Sequence, residues 1–250
     1  MDSTRYASQA PATIQQLFGQ IAKRYDLTNS LLSFGLHRVW NRRLAQKILE
    51  CTPTCVVDLC CGTGEIARAF LTQSQRTSVQ ITCVDFCPSM LALATDKLAP
   101  WAARGHQLTY VVADVQQLPL PDGLFDAATM AYGIRNVASP DLALQEAHRV
   151  LRDGGQLAIL ELTRPRSAIL KFFHRGYTRW GIPLLGSLTT SSRAAYCYLG
   201  QSIQGFLDPV DLAKRMEAAG FGEVEILPLL GGAATLLVGT KGSVPSATDS

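Results

Sequence analysis

The sequence predicts an α/β fold, a doubly wound, mostly parallel seven-stranded sheet with an antiparallel carboxyl-terminal hairpin and a helical lid insertion. Three observations carry this. From residue 55 short apolar runs alternate with helical patterns, the signature of parallel strands joined by crossover helices. Near the end two strand-like runs are joined by a short glycine turn, which only an antiparallel pair tolerates. Between these regions lies a segment, residues 162–207, too long for an ordinary loop.

The elements follow in order. Ile14, Leu17, Phe18 and Ile21 recur at helical spacing, so Pro11–Arg24 reads as an amphipathic helix. Val39, Trp40, Leu44 and Ile48 mark a second helix after the break at Ser33-Phe34-Gly35. Strands are expected at Cys55–Leu59, Val79–Asp85, Leu108–Ala113, Phe125–Ala131 and Gln156–Glu161. Helices follow Glu65, Pro88 and Pro140, the last closed by Asp153-Gly154-Gly155. A helix at Val210–Ala219 precedes the hairpin strands Val224–Pro228 and Ala233–Thr240. Residues 1–50 form amino-terminal helices covering the site, 51–242 the main domain and 243–250 a flexible tail.

Composition narrows the classes. Hydrophobic residues make up 47% and charged residues 17% of 250, enough apolar side chains to exclude whole-chain disorder. The net charge of +3 is too small for an obligate electrostatic nucleic-acid binder. No apolar run suffices to span a membrane, and no secretory signal is visible. The seven cysteines lack CxxC spacing, so reduced, mostly buried thiols in a cytoplasmic protein are expected, and no metal site. Charge is unevenly spread. Residues 162–207 carry Arg164, Arg166, Lys171, Arg175, Arg179 and Arg193 with no acid, leaving 17 basic against 20 acidic residues elsewhere. Phe172, Phe173, Tyr177 and Trp180 interleave those charges. Read blandly this is a helical cap with a solvated basic face; read sharply it is a lid meeting a membrane surface, a prenyl tail or nucleic acid.

The chemistry gathers around one turn. Val56-Val57-Asp58-Leu59-Cys60-Cys61-Gly62-Thr63-Gly64-Glu65 reads as strand, glycine turn and helix start, where Gly62 and Gly64 let backbone approach a ligand. Asp85, 21 residues past Gly64, ends the second strand, where a carboxylate accepts from ribose hydroxyls. Asp114 ends the third, within reach of an adenine amino group. Each aspartate alone could be a helix cap; three around one glycine turn form a set. Gly62-x-Gly64-x-x-Ala67 also matches a dinucleotide fingerprint. Asp58 argues against it, because a carboxylate repels a pyrophosphate but suits the ammonium of an amino-acid moiety.

The strand–glycine–acid pattern with the terminal hairpin resembles class I S-adenosylmethionine-dependent methyltransferases. Three stretches narrow the likeness over roughly residues 14–240: Tyr25-Asp26-Leu27-Thr28-Asn29-Ser30-Leu31-Leu32-Ser33-Phe34-Gly35-Leu36-His37-Arg38-Val39-Trp40, Tyr132-Gly133-Ile134-Arg135-Asn136-Val137 and Ala195-Tyr196-Cys197-Tyr198-Leu199-Gly200-Gln201-Ser202-Ile203. These resemble the ubiquinone/menaquinone biosynthesis C-methyltransferases. Cys60-Cys61, Cys197 and Phe206-Leu207 depart from that pattern, the last two in the lid.

The resemblance implies transfer of a methyl group from S-adenosyl-L-methionine to a ring carbon of a polyprenylated quinol. It implies cofactor contacts from Asp58, Gly62, Thr63, Gly64, Asp85, Asp114 and Val115. Arg135, Asn136, Tyr25 and Asp26 form the catalytic group: Arg135 stabilises a quinolate oxygen, Asn136 orients it or a proton-carrying water, Tyr25 covers the site and Asp26 is a candidate base. His37 reads as a packing residue, and Tyr196 and Tyr198 either touch substrate or pack the lid. A lipid substrate implies peripheral contact with the inner membrane face through residues 162–207, without nucleic acid; a homodimer stays open. The rivals are an RNA methyltransferase gripping phosphate with the basic insertion, and a non-catalytic scaffold of a quinone-synthesis complex.

Overall fold

The computed structural model describes residues 22–165 and 193–242, with residues 15, 16, 19, 176 and 177. A seven-stranded sheet in the order β3-β2-β1-β4-β5-β7-β6 forms its centre. The strands are β1 Cys55–Leu59, β2 Gln80–Asp85, β3 Gln107–Val112, β4 Phe125–Ala131, β5 Leu151–Leu162, β6 Glu225–Leu229 and β7 Ala234–Thr240. β1 to β5 pair in parallel, and β7 runs antiparallel between β5 and β6. This is the expected topology.

Alternation along the central strands divides the core. Val57, Leu59, Ala128, Met130 and Ile159 pack one face against the helices α5 Pro140–Val150 and α7 Pro209–Ala218. Val56, Ile81, Ala127, Ala158 and Leu160 pack the other, against α2 Leu36–Leu49, α3 Glu65–Gln73 and α4 Pro88–Ala102. A parallel strand buried on both faces cannot alternate apolar with polar, which is why these strands read as continuous apolar runs.

Three differences from expectation have local causes. Asp153-Gly154-Gly155 does not close a helix; it lies inside β5, which starts directly after α5. Leu151 pairs with Phe125 and Gln156 with Ala127, so the extra residues form a bulge. Lys241 ties it down, accepting from Gly154 N at 3.0 Å and donating to Gly155 O at 2.8 Å. Second, Tyr25–Leu32 is a helix, α1, which the apolar pattern missed because Leu27 and Leu31 face solvent. Third, of the expected Pro11–Arg24 helix, Gln15, Gln16 and Gly19 are helical and Ala22–Arg24 forms a 3-10 turn; its other residues lie outside those described.

Most of the basic insertion, including Arg166, Lys171, Phe172, Phe173, Arg175, Arg179 and Trp180, and the tail 243–250 also lie outside the described residues. Helix α6, Arg193–Gly205, closes the insertion. Among the described residues no helix is long and apolar enough to cross a membrane, and no cluster of three metal-ligating side chains occurs. Six cysteines there are free thiols, with Cys61, Cys83 and Cys87 buried.

Candidate active site

The sheet order reverses between β1 and β4, the place where open α/β sheets form ligand crevices at their carboxyl ends. Both strands end in strained backbone there: Cys60 follows β1 at φ 54° and Tyr132 follows β4 at φ 57°. Non-glycine residues in the left-handed region cost on the order of 1 kcal/mol or more and gather where chemistry needs an unusual turn. The two turns press together. A Cβ on Gly133 would lie 2.4 Å from the Cys60 Cβ, so only glycine fits.

Beyond Cys60 the chain turns through Gly62, at φ 53°, and Gly64, at φ 76°, into α3. A Cβ at Gly64 would meet Ala94 and Leu98 of α4 at 3.2 Å, so this glycine sets a close helix contact. A Cβ at Gly62 would meet nothing within 4 Å, because it faces open space. That space is a cavity open to solvent, lined by Gly62, Asp85, Asp114, Val115 and Asn136, together with Tyr25 of α1.

Asp85 ends β2 beneath the glycine turn. Its Oδ2 accepts from Gly62 N at 2.8 Å and its Oδ1 from Cys87 N at 2.9 Å. Burial raises its carboxyl above the ordinary value, opposed by the backbone N–H groups of Cys87, Gly62 and Phe86. Each carboxylate oxygen has a second lone pair, leaving acceptor capacity toward the cavity. Asp114, exposed at the rim, accepts from Gln116 N at 2.9 Å and from the Gln116 amide. Val115 beside it is buried.

The opposite wall is the 3-10 turn Ile134–Asn136 after β4. Asn136 Nδ2 donates to Tyr132 O at 3.3 Å, and Tyr198 of α6 donates its hydroxyl to Asn136 Oδ1 at 3.1 Å. Arg135 is buried behind this wall and pairs through Nη1 with Glu161 Oε1, at the carboxyl end of β5. Glu161 is fully buried, and burial raises its carboxyl despite the neighbouring guanidinium. The Arg135 charge acts on three phenols, those of Tyr25, Tyr132 and Tyr198. Burial raises each hydroxyl's pKa, and the Arg135 charge pulls each back down.

The expected site residues therefore divide. Tyr25, Gly62, Asp85, Asp114, Val115 and Asn136 line one cavity. Arg135 stands behind its wall. Asp58 lies under the glycine turn, 1% exposed; its Oδ1 accepts from Thr129 at 2.7 Å, its Oδ2 has no partner, and burial pushes its carboxyl up to about 7. Thr63, Gly64 and Asp26 support the turn from outside. Thr63 donates to Asp26 Oδ1 at 2.6 Å, and Lys97 of α4 donates to Asp26, to Thr63 at 2.9 Å and to Glu65 at 2.7 Å. His37 is off the cavity, its Nδ1 bonded to the Ser33 hydroxyl at 2.7 Å. Sequence reasoning missed Lys97 and Glu161. A lone acid ending the apolar run Leu157–Leu160 was a readable signal for Glu161. Lys97 had none, because its partners lie on other elements.

This cavity suits a sulfonium nucleoside better than a dinucleotide. The glycine N–H that would meet a phosphate is committed to Asp85, so a pyrophosphate would face a carboxylate. Fold and cavity together define a class I methyltransferase dependent on S-adenosylmethionine. The SAM-dependent methyltransferase of Thermotoga maritima shares this fold with a TM-score of 0.58, at 20% identity over 90% of this chain and 99% of that one.

The chain belongs to the ubiE/COQ5 methyltransferase family, whose sequence model matches residues 5–241. It is 44% identical to the demethylmenaquinone methyltransferase of Protochlamydia amoebophila, over 94% of this chain and 98% of that protein. The demethylmenaquinone methyltransferase of Thermus thermophilus is 40% identical over 90% and 100%. The ubiquinone/menaquinone biosynthesis C-methyltransferase of Pseudomonas paraeruginosa is 35% identical over 94% and 91%.

Proposed function

We propose that this protein methylates a ring carbon of a polyprenylated quinol, demethylmenaquinol or a 2-methoxy-6-polyprenyl-1,4-benzoquinol, in respiratory quinone biosynthesis. The observation that carries the reading is the single cavity bounded by Asp85 on one side and Asn136 on the other, in a chain so similar to demethylmenaquinone methyltransferases.

S-adenosylmethionine would supply an electrophilic methyl group on a sulfonium. Asp85 accepts from its ribose hydroxyls, Asp114 and Val115 hold the adenine, and Gly62 lets the backbone approach. Asp58, its carboxyl pushed up to about 7 by burial, adds negative potential from beneath the turn once it ionises. Thr63, Gly64 and Asp26 keep that turn in shape, and Tyr25 covers the pocket. No proton transfer is assigned to Asp26, whose carboxylate is held by Lys97 and Thr63.

The protein must also make a ring carbon nucleophilic, which ionisation of a phenolic hydroxyl achieves by delocalising charge onto ortho carbons. An unperturbed phenol titrates near ~10, so a favourable field is needed. Arg135 supplies the favourable part of that field: it lowers Tyr25, Tyr132 and Tyr198, against burial, which keeps all three raised, and against Glu161, which raises Tyr132 and Tyr198. A quinol hydroxyl beside Asn136 would feel the same pull without needing to touch the guanidinium. Asn136 orients the oxygen or a water that carries the ring proton away, and holding both reactants in line supplies much of the rate gain.

The test incubates purified protein with methyl-labelled S-adenosylmethionine and reduced demethylated quinols, then locates the label by mass spectrometry. The reading expects it on a ring carbon. Label on a hydroxyl oxygen, or on added RNA in place of any quinol, would refute it.

A further inference from the structure

We infer that the α1–α2 hairpin is a docking surface for an anionic lipid bilayer, its apolar edge made by Leu27, Leu31, Phe34 and Val39 and its basic flank by Arg38, Arg42 and Arg43. This deepens the reading above and rests on it for the lipid nature of the substrate.

Leu27, Leu31, Phe34 and Val39 are 58%, 46%, 77% and 58% exposed. Single exposed apolar residues need no explanation. The other large ones among the described residues, Val112, Leu124, Leu142, Val210 and Leu230, are spread over separate elements. Four on one hairpin are a different matter. Leu27, Leu31 and Phe34 stand at spacings of four and three, one stripe along α1 and its turn. Exposed patches of this kind mark protein or membrane contacts.

Charge chooses between those. Arg38, Arg42 and Arg43 are exposed on α2, and Asp26, the one acid between residues 22 and 49, is engaged by Lys97 and Thr63. A second copy docking through this same face would set arginines against arginines, whereas anionic headgroups complement them. Long arginine stems also reach past apolar side chains to headgroup level. Tyr177 of the insertion meets the same face: its hydroxyl donates to Leu32 O, and its ring centroid lies 6.2 Å from that of Phe34.

The position makes sense of the site. The opposite side of α1 is buried, through Thr28 and Leu32, and its first residue, Tyr25, borders the cavity. A bilayer on the outer side would bring a membrane-dissolved quinol to the edge of the cavity that its head group must enter.

The test floats the full chain with vesicles of phosphatidylcholine alone or mixed with phosphatidylglycerol. Flotation is expected with the mixed vesicles only, and it should weaken as salt is raised. Leu27→Ser/Phe34→Ser, two exposed sites, should lower partitioning at least about tenfold. Arg42→Glu/Arg43→Glu should abolish the preference for phosphatidylglycerol. In parallel, the Leu27→Ser/Phe34→Ser protein should methylate a short-tailed, water-soluble quinol like wild type but lose turnover on a long-tailed quinol carried in mixed vesicles. Wild-type protein that stays with neither vesicle, or variants that float unchanged, would overturn the inference. So would a wild-type dimer that Leu27→Ser/Phe34→Ser splits, since the face would then join two copies. Flotation without methylation of any quinol would instead count against the proposed reaction alone.

Discussion

Asp85 and Glu161 are both buried carboxylates at strand ends, yet they act on different quantities. Asp85 holds two backbone N–H groups and faces the cavity, so Asp85→Asn turns part of that acceptor surface into a donor facing N–H groups. Calorimetry should find S-adenosylmethionine affinity reduced roughly 10- to 100-fold, since hydrogen bonds to charged groups are worth about 1.5–3 kcal/mol each, while circular dichroism stays native. Asn136→Ala should do the reverse, lowering turnover with cofactor affinity nearly intact; equal loss of both would refute its assigned role. Glu161 reaches the site only through Arg135. Glu161→Leu strands a buried guanidinium and should cost about 3–5 kcal/mol in urea unfolding. Glu161→Leu/Arg135→Met should recover much of that stability while remaining slow in catalysis. Asp85 was legible because it stands at a motif distance from a glycine turn. The Arg135–Glu161 pair was not, because pairing depends on the β4–β5 register that only the folded sheet supplies.

At the scale of elements, the helix the apolar pattern missed is the one the site depends on. α1 is joined to the glycine turn by Lys97, which bridges Asp26, Thr63 and Glu65. Lys97, Asp26 and Glu65 are partly exposed, so their ion pairs are screened and add little to global stability. Their effect is local. Lys97→Met should speed amide hydrogen exchange in α1 and weaken cofactor binding several-fold, with the melting temperature shifted by only a few degrees. Unchanged exchange in α1 would show that the helix is held by packing alone. The strands were the easiest elements to read, since burial on both faces leaves uninterrupted apolar runs. Beginnings and ends were harder: Asp153-Gly154-Gly155 looks like a helix stop and is a bulge, which no local pattern distinguishes.

For the whole molecule, the sequence order of strands and helices already implied the doubly wound sheet, and its antiparallel end followed from one short turn. What the chain order could not convey is how burial beneath the glycine turn shapes the stability curve. Asp58 is held near 7 by burial, well above the ordinary 3.8. Between those values the folded state keeps a proton the unfolded state has lost, so this group's contribution falls as pH rises from about 4 to 7. Asp58→Asn should therefore gain stability relative to wild type across that window, by an amount on the order of 3–5 kcal/mol at pH 8. Urea titrations of both proteins at several pH values measure it, and a difference that does not vary with pH would contradict the assignment.

The account's central claim is that this acid-lined cavity holds a cationic methyl donor. Isothermal titration of the purified chain with S-adenosylmethionine, and separately with NADH, tests it most directly. Saturable one-to-one binding of the sulfonium nucleoside, weakened by Asp85→Asn, with no heat from NADH, is the predicted result. Binding of NADH without binding of S-adenosylmethionine would contradict it.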